Sequence, residues 1–124
     1  SRLMQGTCPN LTLPEAHAYG APFPDASYKA GVRRFPEMVM TAANMEGVAI
    51  SKRAVEYLSN SWQGQSFMAV GMRDPVLGPS VMATLRGVIR GCPIPLEIAD
   101  GGHFLQEWGG PVAEAALRHW GGTK

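Results

Sequence analysis

Two side chains that can share a proton follow two apolar segments of the sequence. Asp74 follows SFMAVGM and His103 follows PIPLEIAD, with a separation of 29 residues (103 − 74). In α/β folds, reactive groups lie beyond the carboxyl ends of parallel strands. If the two segments are neighbouring parallel strands, the loops that follow them lie at the same edge of the sheet. A carboxylate beside the imidazole would hold it in one tautomer and stabilise its protonated form. The pair predicts a histidine base oriented by an acid, although either residue alone favours a plain loop role, with Asp74 as a helix cap.

Two other acids near His103 are candidates for the same chemistry. Asp100 lies three residues before His103, which suits an Asx-type turn better than a carboxylate partner. Glu107, in QEWGG, is not predicted to be a nucleophile, because a nucleophile elbow projects from the end of a buried strand and no strand fits between it and the histidine. We expect Glu107 to favour the amino end of the last helix through the helix dipole. The run DGGHFLQEWGG is therefore expected to hold the base only, and Gly101 and Gly102 are expected to let the backbone turn tightly and leave room for a substrate.

The composition excludes several classes of partner and cofactor. The chain has 124 residues and a net charge of +1, with no basic stripe, so neither nucleic acid nor an anionic membrane is expected as a partner. No apolar run approaches the roughly 20 residues that span a bilayer. His17, His103 and His119 lie too far apart to predict a metal site. Cys8 and Cys92 are predicted to be free, buried thiols, with a disulfide left open, and the sequence predicts a soluble, cytoplasmic protein.

The first half of the chain, residues 1–62, is predicted to be helical and irregular. Thr12 with Glu15 forms a capping-box pattern, and Ser27 is expected to cap YKAGVRRF, which should end near Phe35 because a proline follows. ISKRAVEYLSNSW carries a helical apolar stripe, with Ser51 as a plausible cap.

The second half of the chain, residues 63–124, alternates strand and helix patterns. The strands SFMAVGM and PIPLEIAD flank a helix that begins near Pro79 and is expected to end with Gly91 as C-cap, and a last helix runs up to Gly121. This βαβ order predicts parallel strands with a right-handed crossover. Because two short parallel strands are marginal alone, we expect them to be the edge of a larger sheet and the chain to be incomplete. The absence of an initiator methionine suggests processing or a chain cut from something longer.

Three segments give the sequence a specific family likeness. YGAPFPDASYKAGVRRFPEMV, FMAVGMRDPVLGP and PLEIADGGHFLQEWG resemble the carboxy-terminal half of haloalkane dehalogenases, over a span from about Leu11 to Trp120. The resemblance implies an α/β-hydrolase fold, with residues 1–62 as most of a helical cap and residues 63–124 as the carboxy-terminal part of the core. It implies that Asp74 is the acid of a catalytic triad and that His103 is the base that activates water. The aspartate nucleophile of the family has no counterpart in this sequence, so the chain alone is expected to be inactive.

The resemblance also implies a substrate pocket and leaves alternatives open. The pocket would be apolar and would receive a small halogenated alkane, whose hydrolysis needs no metal or organic cofactor. Its lining would include Phe35, Pro36, Val39, Val76 and Leu77. For these five residues, plain packing in the core is an equal interpretation. Packing roles are expected for Trp62, Trp108 and Trp120 and for Tyr19, Tyr28 and Tyr57, although related epoxide hydrolases use cap tyrosines. The alternatives are an epoxide hydrolase or esterase, or a non-catalytic module. The expected partner is the missing amino-terminal half or a complementary chain.

Overall fold

A computed structural model describes residues 2–8 and 10–121 of the chain. Six α-helices and two β-strands occur in these ranges, with short 3-10 helices at Ala26–Lys29 and Leu105–Trp108. In chain order the elements are α1 (Arg2–Thr7), α2 (Leu13–Ala18), α3 (Ala30–Glu37), α4 (Val48–Asn60), β1 (Ala69–Gly71), α5 (Pro79–Val88), β2 (Leu96–Ile98) and α6 (Gly109–His119).

The capping box predicted at the start of α2 is present. The Thr12 hydroxyl accepts from the Glu15 amide, and the Glu15 carboxylate accepts from the Thr12 amide at 2.8 Å. Two amides that the helix would leave unpaired are satisfied in this way. Ala16 on α2 and Cys8 after α1 are fully buried, so the two short helices share a small packed contact.

Three predicted helix boundaries in the first half are wrong. The helix α3 continues through Pro36 to Glu37, because a proline in the last turn removes only one backbone donor and the helix ends directly after it. Asp25, not Ser27, caps the 3-10 helix that precedes α3, and its carboxylate accepts from the Ser27 amide at 2.8 Å. The predicted cap at Ser51 is also wrong.

The helix α4 begins earlier than predicted because the chain enters it through a glycine. Gly47 has φ of +90°, a conformation that favours glycine, and helix α4 starts at the next residue. At its other end, α4 is attached to the end of α5. The Ser59 hydroxyl donates to the Val88 carbonyl at 3.1 Å, and the Arg90 amide donates to the Leu58 carbonyl at 3.0 Å. These bonds fasten the helical first half to the βαβ unit.

The two strands are parallel, as predicted, and pair in the register Ala69 with Leu96 and Gly71 with Ile98. Each strand has three paired residues, fewer than the apolar segments suggested. The paired segment of β1 ends at Gly71 because the chain then enters a turn, in which the Asp74 amide donates to the Gly71 carbonyl at 3.2 Å. Within the described ranges the sheet has these two strands, and a larger sheet stays a prediction.

The helix α5 begins as predicted but ends differently, whereas α6 ends as predicted. Pro79 opens α5, whereas its C-cap is Ile89, and Gly91 with φ of +71° lies in the turn that follows. At the end of α6, Gly121 with φ of +73° follows the C-cap, as expected for a left-handed helix stop. The Phe67 ring packs at 5.9 Å from the Trp120 ring and so joins α6 to the entry of β1.

The packed core of the described residues is small. It consists of five buried apolar residues, Met4, Cys8, Ala16, Met68 and Val70. Many larger apolar side chains are exposed, including Phe35 at 76% and Ile94 at 79%. The thiol of Cys92 is only half-buried, which corrects the expectation of two buried thiols. Within residues 2–8 and 10–121, no helix combines the length and apolar character needed to cross a membrane.

Candidate functional site

The turn after β1 buries the carboxylate of Asp74. The Oδ1 atom accepts from the amides of Val76 at 2.7 Å and Leu77 at 2.9 Å. The turn has room only for a glycine at position 78, because a Cβ there would lie 2.4 Å from the Asp74 carbonyl oxygen. The side chain of Asp74 is only 7% exposed, so its charge is held in a nearly closed position.

His103 lies against this carboxylate, as the spacing of the two residues predicted. Its Nδ1 atom is 3.0 Å from Oδ1 and 3.1 Å from Oδ2 of Asp74. The Phe104 ring packs edge-on against the imidazole, with 5.3 Å between ring centres. The parallel arrangement of β1 and β2 brings the two loops together, because each loop leaves the carboxyl end of its strand.

The electrostatics of the pair fix the tautomer of the histidine. Burial by itself would raise the pKa of Asp74, but the Val76 and Leu77 amides and the His103 ring together hold that pKa below its ordinary value. Asp74 is therefore ionised at neutral pH, and an ionised carboxylate can only accept hydrogen bonds. The proton between the two residues must belong to Nδ1 of His103, so that in the neutral imidazole the lone pair is on Nε2. Such a nitrogen can act as a general base.

The glycines before His103 serve a purpose that differs from the predicted one. Neither Gly101 nor Gly102 has a positive φ, so a special turn conformation is not the reason for them. A Cβ at Gly102 would lie 2.4 Å from the Thr7 carbonyl oxygen, and a Cβ at Gly71 would lie 2.6 Å from the Gly101 carbonyl oxygen. The space that we expected to remain for a substrate is filled by neighbouring backbone. The glycines thus allow α1, β1 and the loop that carries His103 to approach closely.

Two side-chain contacts around His103 were not predicted from the sequence. Asp100 forms an ion pair with Arg73 at 2.7 Å, instead of the Asx-type turn that we expected. Glu107 lies in the 3-10 helix before α6, near the helix start as predicted, and its carboxylate also accepts from the Tyr19 hydroxyl. Gln106 Nε2 donates to the same hydroxyl at 3.4 Å.

The predicted pocket residues lie in two places. Val76 and Leu77 join Asp74 through their backbone amides, and their side chains are exposed. Phe35 and Pro36 lie on α3, and Val39 lies just after it, all exposed. A cavity of about 610 Å³ between α3 and α4 is lined by other residues: Arg34, Glu37, Met38, Met40, Met45, Glu46, Gly47 and Ile50. The substrate contacts of the five predicted residues therefore stay a prediction.

The tryptophans and tyrosines expected to pack have mixed surroundings. Trp62 packs against the Tyr57 ring at 6.3 Å and donates its indole N–H to the Ser66 hydroxyl at 3.0 Å. Tyr28 is 60% exposed, whereas Tyr19 is hydrogen-bonded. Both cysteines are free, which removes the open alternative of a disulfide. Across the described part of the chain, no three acidic, histidine or cysteine side chains come together as metal ligands would.

Comparisons with known proteins point to haloalkane dehalogenases. The chain is 30% identical over 115 residues to a haloalkane dehalogenase from Mycolicibacterium paratuberculosis and 34% identical over 107 residues to one from Psychrobacter cryohalolentis. These matches cover 93% and 85% of the chain but only 38% and 35% of the relatives. No protein-family model matches the chain.

One solved structure is similar to the chain in both fold and sequence. The tetrameric haloalkane dehalogenase DpaA from Paraglaciecola agarilytica NO2 superposes with a TM-score of 0.85 and 47% identity. The match covers 94% of the chain and 39% of that protein. The helices and the two-stranded parallel sheet therefore match a fragment of the α/β-hydrolase fold of a haloalkane dehalogenase, and the chain spans under two fifths of the length of these relatives.

Proposed function

We propose that the chain supplies the cap and the carboxy-terminal part of a haloalkane dehalogenase, with Asp74 and His103 as the acid and base of its catalytic triad. The observation that carries the proposal is the contact of His103 Nδ1 with the Asp74 carboxylate at 3.0 Å. This contact lies in a fold fragment that matches a haloalkane dehalogenase at 47% identity. Residues 1–62 would form the cap segment and residues 63–124 the core segment.

The proposed reaction has two steps, and the chain would contribute chemistry to the second. A carboxylate from outside this chain forms a C–O bond to the substrate carbon while the C–halogen bond breaks and the halide leaves with the electron pair. Water then adds to the carbonyl carbon of the resulting ester while His103 Nε2 takes a proton from it. Cleavage of the acyl C–O bond releases the alcohol, which receives that proton from His103, and the second proton of the water passes to solvent as the carboxylate is restored.

The geometry of the pair suits a base that is needed only in the second step. Asp74 accepts the Nδ1 proton and leaves Nε2 free to take a proton from water. The imidazolium that forms is stabilised by the ionised carboxylate, whose side chain is nearly closed to water. The attraction between two opposite charges is stronger in surroundings closed to water than at the surface. The pair therefore supports hydrolysis of an ester intermediate.

Substrate contacts in the proposal come from the apolar side chains near the pair and on the cap. Val76 and Leu77 follow Asp74 after Pro75, while Phe35, Pro36 and Val39 would approach from α3 and the residues just after it. Apolar side chains exclude water and suit a small halogenated alkane. Epoxide hydrolysis with Tyr19 as the proton donor is less well supported, because the Tyr19 hydroxyl already donates to Glu107.

The exposed apolar faces support the part of the proposal that needs a complementary segment. Ile94 beside β2 and Leu85 on α5 are exposed at 79% and 40%, although both flank the strands of the sheet. Covering apolar surface is worth about 25 cal/mol per Å², so a segment that completes the sheet would bind these faces. We therefore expect residues 1–124 alone to release no halide.

The test compares three substrate classes on the full-length protein that contains this chain. Release of bromide from a short bromoalkane, with no comparable hydrolysis of a matched epoxide or ester, supports the proposal. Preferred hydrolysis of the epoxide or the ester would replace it with the corresponding α/β-hydrolase activity. Halide release by a purified polypeptide of residues 1–124 would contradict the need for a complementary segment.

A further inference from the structure

The histidine loop, residues 100–108, is held by side chains from two distant parts of the chain. Asp100 at its start and Glu107 near its end each contact a residue outside the loop. His103 lies between these two contacts. Within the described ranges, the His103 ring itself forms side-chain hydrogen bonds only with Asp74.

The first contact ties the start of the loop to the turn that carries Asp74. Arg73 Nη2 lies 2.7 Å from Asp100 Oδ1, and the Arg73 amide donates to the Gly101 carbonyl at 2.9 Å. Because Arg73 directly precedes Asp74, adjacent residues of one turn hold the loop at two places. A change in the Arg73 contact would move the loop relative to the carboxylate.

The second contact ties the end of the loop to the helical first half. Tyr19 is the C-cap of α2, and its hydroxyl donates to the carboxylate of Glu107, 88 residues away in sequence. The helix α2 is itself fixed by its capping box and by the fully buried Ala16. Tyr19 therefore joins the loop to an anchored element.

We propose that Arg73 and Tyr19 are positioning residues for His103. They hold the two ends of the histidine loop so that the imidazole stays against Asp74 and its Nε2 atom keeps one direction. The catalytic half of this inference rests on the proposed function. A misplacement of about 1 Å can slow a reaction by about a hundredfold, so modest contacts can affect the rate of the step that uses His103.

The expected effects follow from the exposure and charge of each contact. The Arg73–Asp100 pair is about two-thirds exposed on both sides, at 69% and 68%. Loss of such a pair should slow ester hydrolysis by about two- to fivefold. The Tyr19 hydroxyl bonds a charged acceptor at an exposed position, where water weakens the contact, and its loss should slow the same step by about three- to tenfold. If the two contacts act independently, the factors multiply in the double variant.

The variants are Arg73→Gln and Tyr19→Phe in the full-length protein, with Arg73→Lys as the conservative variant. Matched controls are Arg118→Gln, which breaks an exposed ion pair with Glu114 inside α6, and Tyr28→Phe at an exposed tyrosine. Rapid-quench measurements on a bromoalkane separate bromide release in the first turnover from hydrolysis of the ester. We expect slower hydrolysis with unchanged ester formation, recovery in Arg73→Lys, and no change in the controls.

A second measurement keeps the inference independent of the activity. In NMR spectra of the same proteins, the His103 Nδ1 proton should exchange with water several times faster in the Arg73→Gln/Tyr19→Phe double variant than in the wild type. If the wild type releases no halide, the proposed function fails, and this exchange rate alone decides the positioning role. Equal exchange rates in the double variant and the wild type would overturn the inference, as would equal slowing of both reaction steps.

Discussion

Replacement of Asp74 by asparagine perturbs the proposed acid with almost no change in size. In the wild type, Oδ1 accepts from two backbone amides at 2.7 and 2.9 Å and from His103 at 3.0 Å. In Asp74→Asn, the carbamoyl oxygen would keep the two amides because both donors are fixed in the turn. The NH₂ group takes the place of Oδ2, 3.1 Å from Nδ1, and favours an Nδ1 that accepts, so the proton moves to Nε2 and the base is lost.

The size of the effect combines two losses. A hydrogen bond to a charged group contributes about 1.5–3 kcal/mol, which is about 10- to 150-fold in the stabilisation of the imidazolium. The wrong tautomer adds to this, and replacement of a triad acid by its amide typically lowers turnover about 10⁴-fold. We expect ester hydrolysis in Asp74→Asn to slow by about 10³- to 10⁴-fold, with ester formation little changed.

The assay follows halide release by rapid quench and intact mass in the full-length protein. Asp74→Asn should release about one halide per protein molecule in a burst and then retain the alkyl group as a mass adduct. Asp25→Asn is the matched control, because Asp25 also accepts from a backbone amide at 2.8 Å but its other side-chain bond is to a serine. Unchanged turnover in Asp74→Asn, or equal loss of both steps at an unchanged unfolding midpoint, would refute the role assigned to Asp74.

Three further predictions concern stability and are measured by urea unfolding of the full-length protein. Gly102→Ala places a Cβ 2.4 Å from the Thr7 carbonyl oxygen and should destabilise the fold by about 1–3 kcal/mol. Its control is Gly87→Ala, which has open space in helix α5 and should stabilise the fold by about 0.5–1 kcal/mol. A Gly102→Ala protein more stable than the Gly87→Ala protein would contradict the packing described for the histidine loop. Thr12→Ala removes the capping box of α2 and should cost about 1 kcal/mol, and no loss would mean that the cap contributes nothing to the folded state. Because the folded-state pKa of Asp74 is lowered, its ionisation stabilises the fold above the unfolded pKa of about 4, and this contribution is lost as the pH falls through the folded pKa. The stability difference between the wild type and Asp74→Asn should therefore shrink on acidification, and a difference that grows would contradict the direction of the shift.

The parts of the site that the sequence predicted depend on rules that act over short distances or on topology. Strand, helix and strand in succession require a parallel crossover, and this places the loops of Asp74 and His103 on one edge. The capping box of α2 is a local pattern, since Thr12 and Glu15 satisfy each other without help from the rest of the fold.

The parts that were not predicted depend on tertiary contacts or on a choice between similar residues. Nothing in the local sequence links Tyr19 to Glu107, because the contact forms only after the first half packs beside the histidine loop. At the start of the 3-10 helix, Asp25 and Ser27 are both good caps, and the structure selects Asp25. The glycines before His103 were assigned to a turn, because the close approach of Thr7 is visible only in three dimensions.

The measurement that tests the central claim most directly is the intact mass of the full-length His103→Gln protein after incubation with a short bromoalkane. The account predicts that the variant gains the mass of one alkyl group, with one bromide released per molecule, because the first step needs no base and the second does. Steady turnover of the bromoalkane by His103→Gln would contradict the claim. A variant that forms no adduct, beside a wild type that turns the bromoalkane over, would contradict it equally.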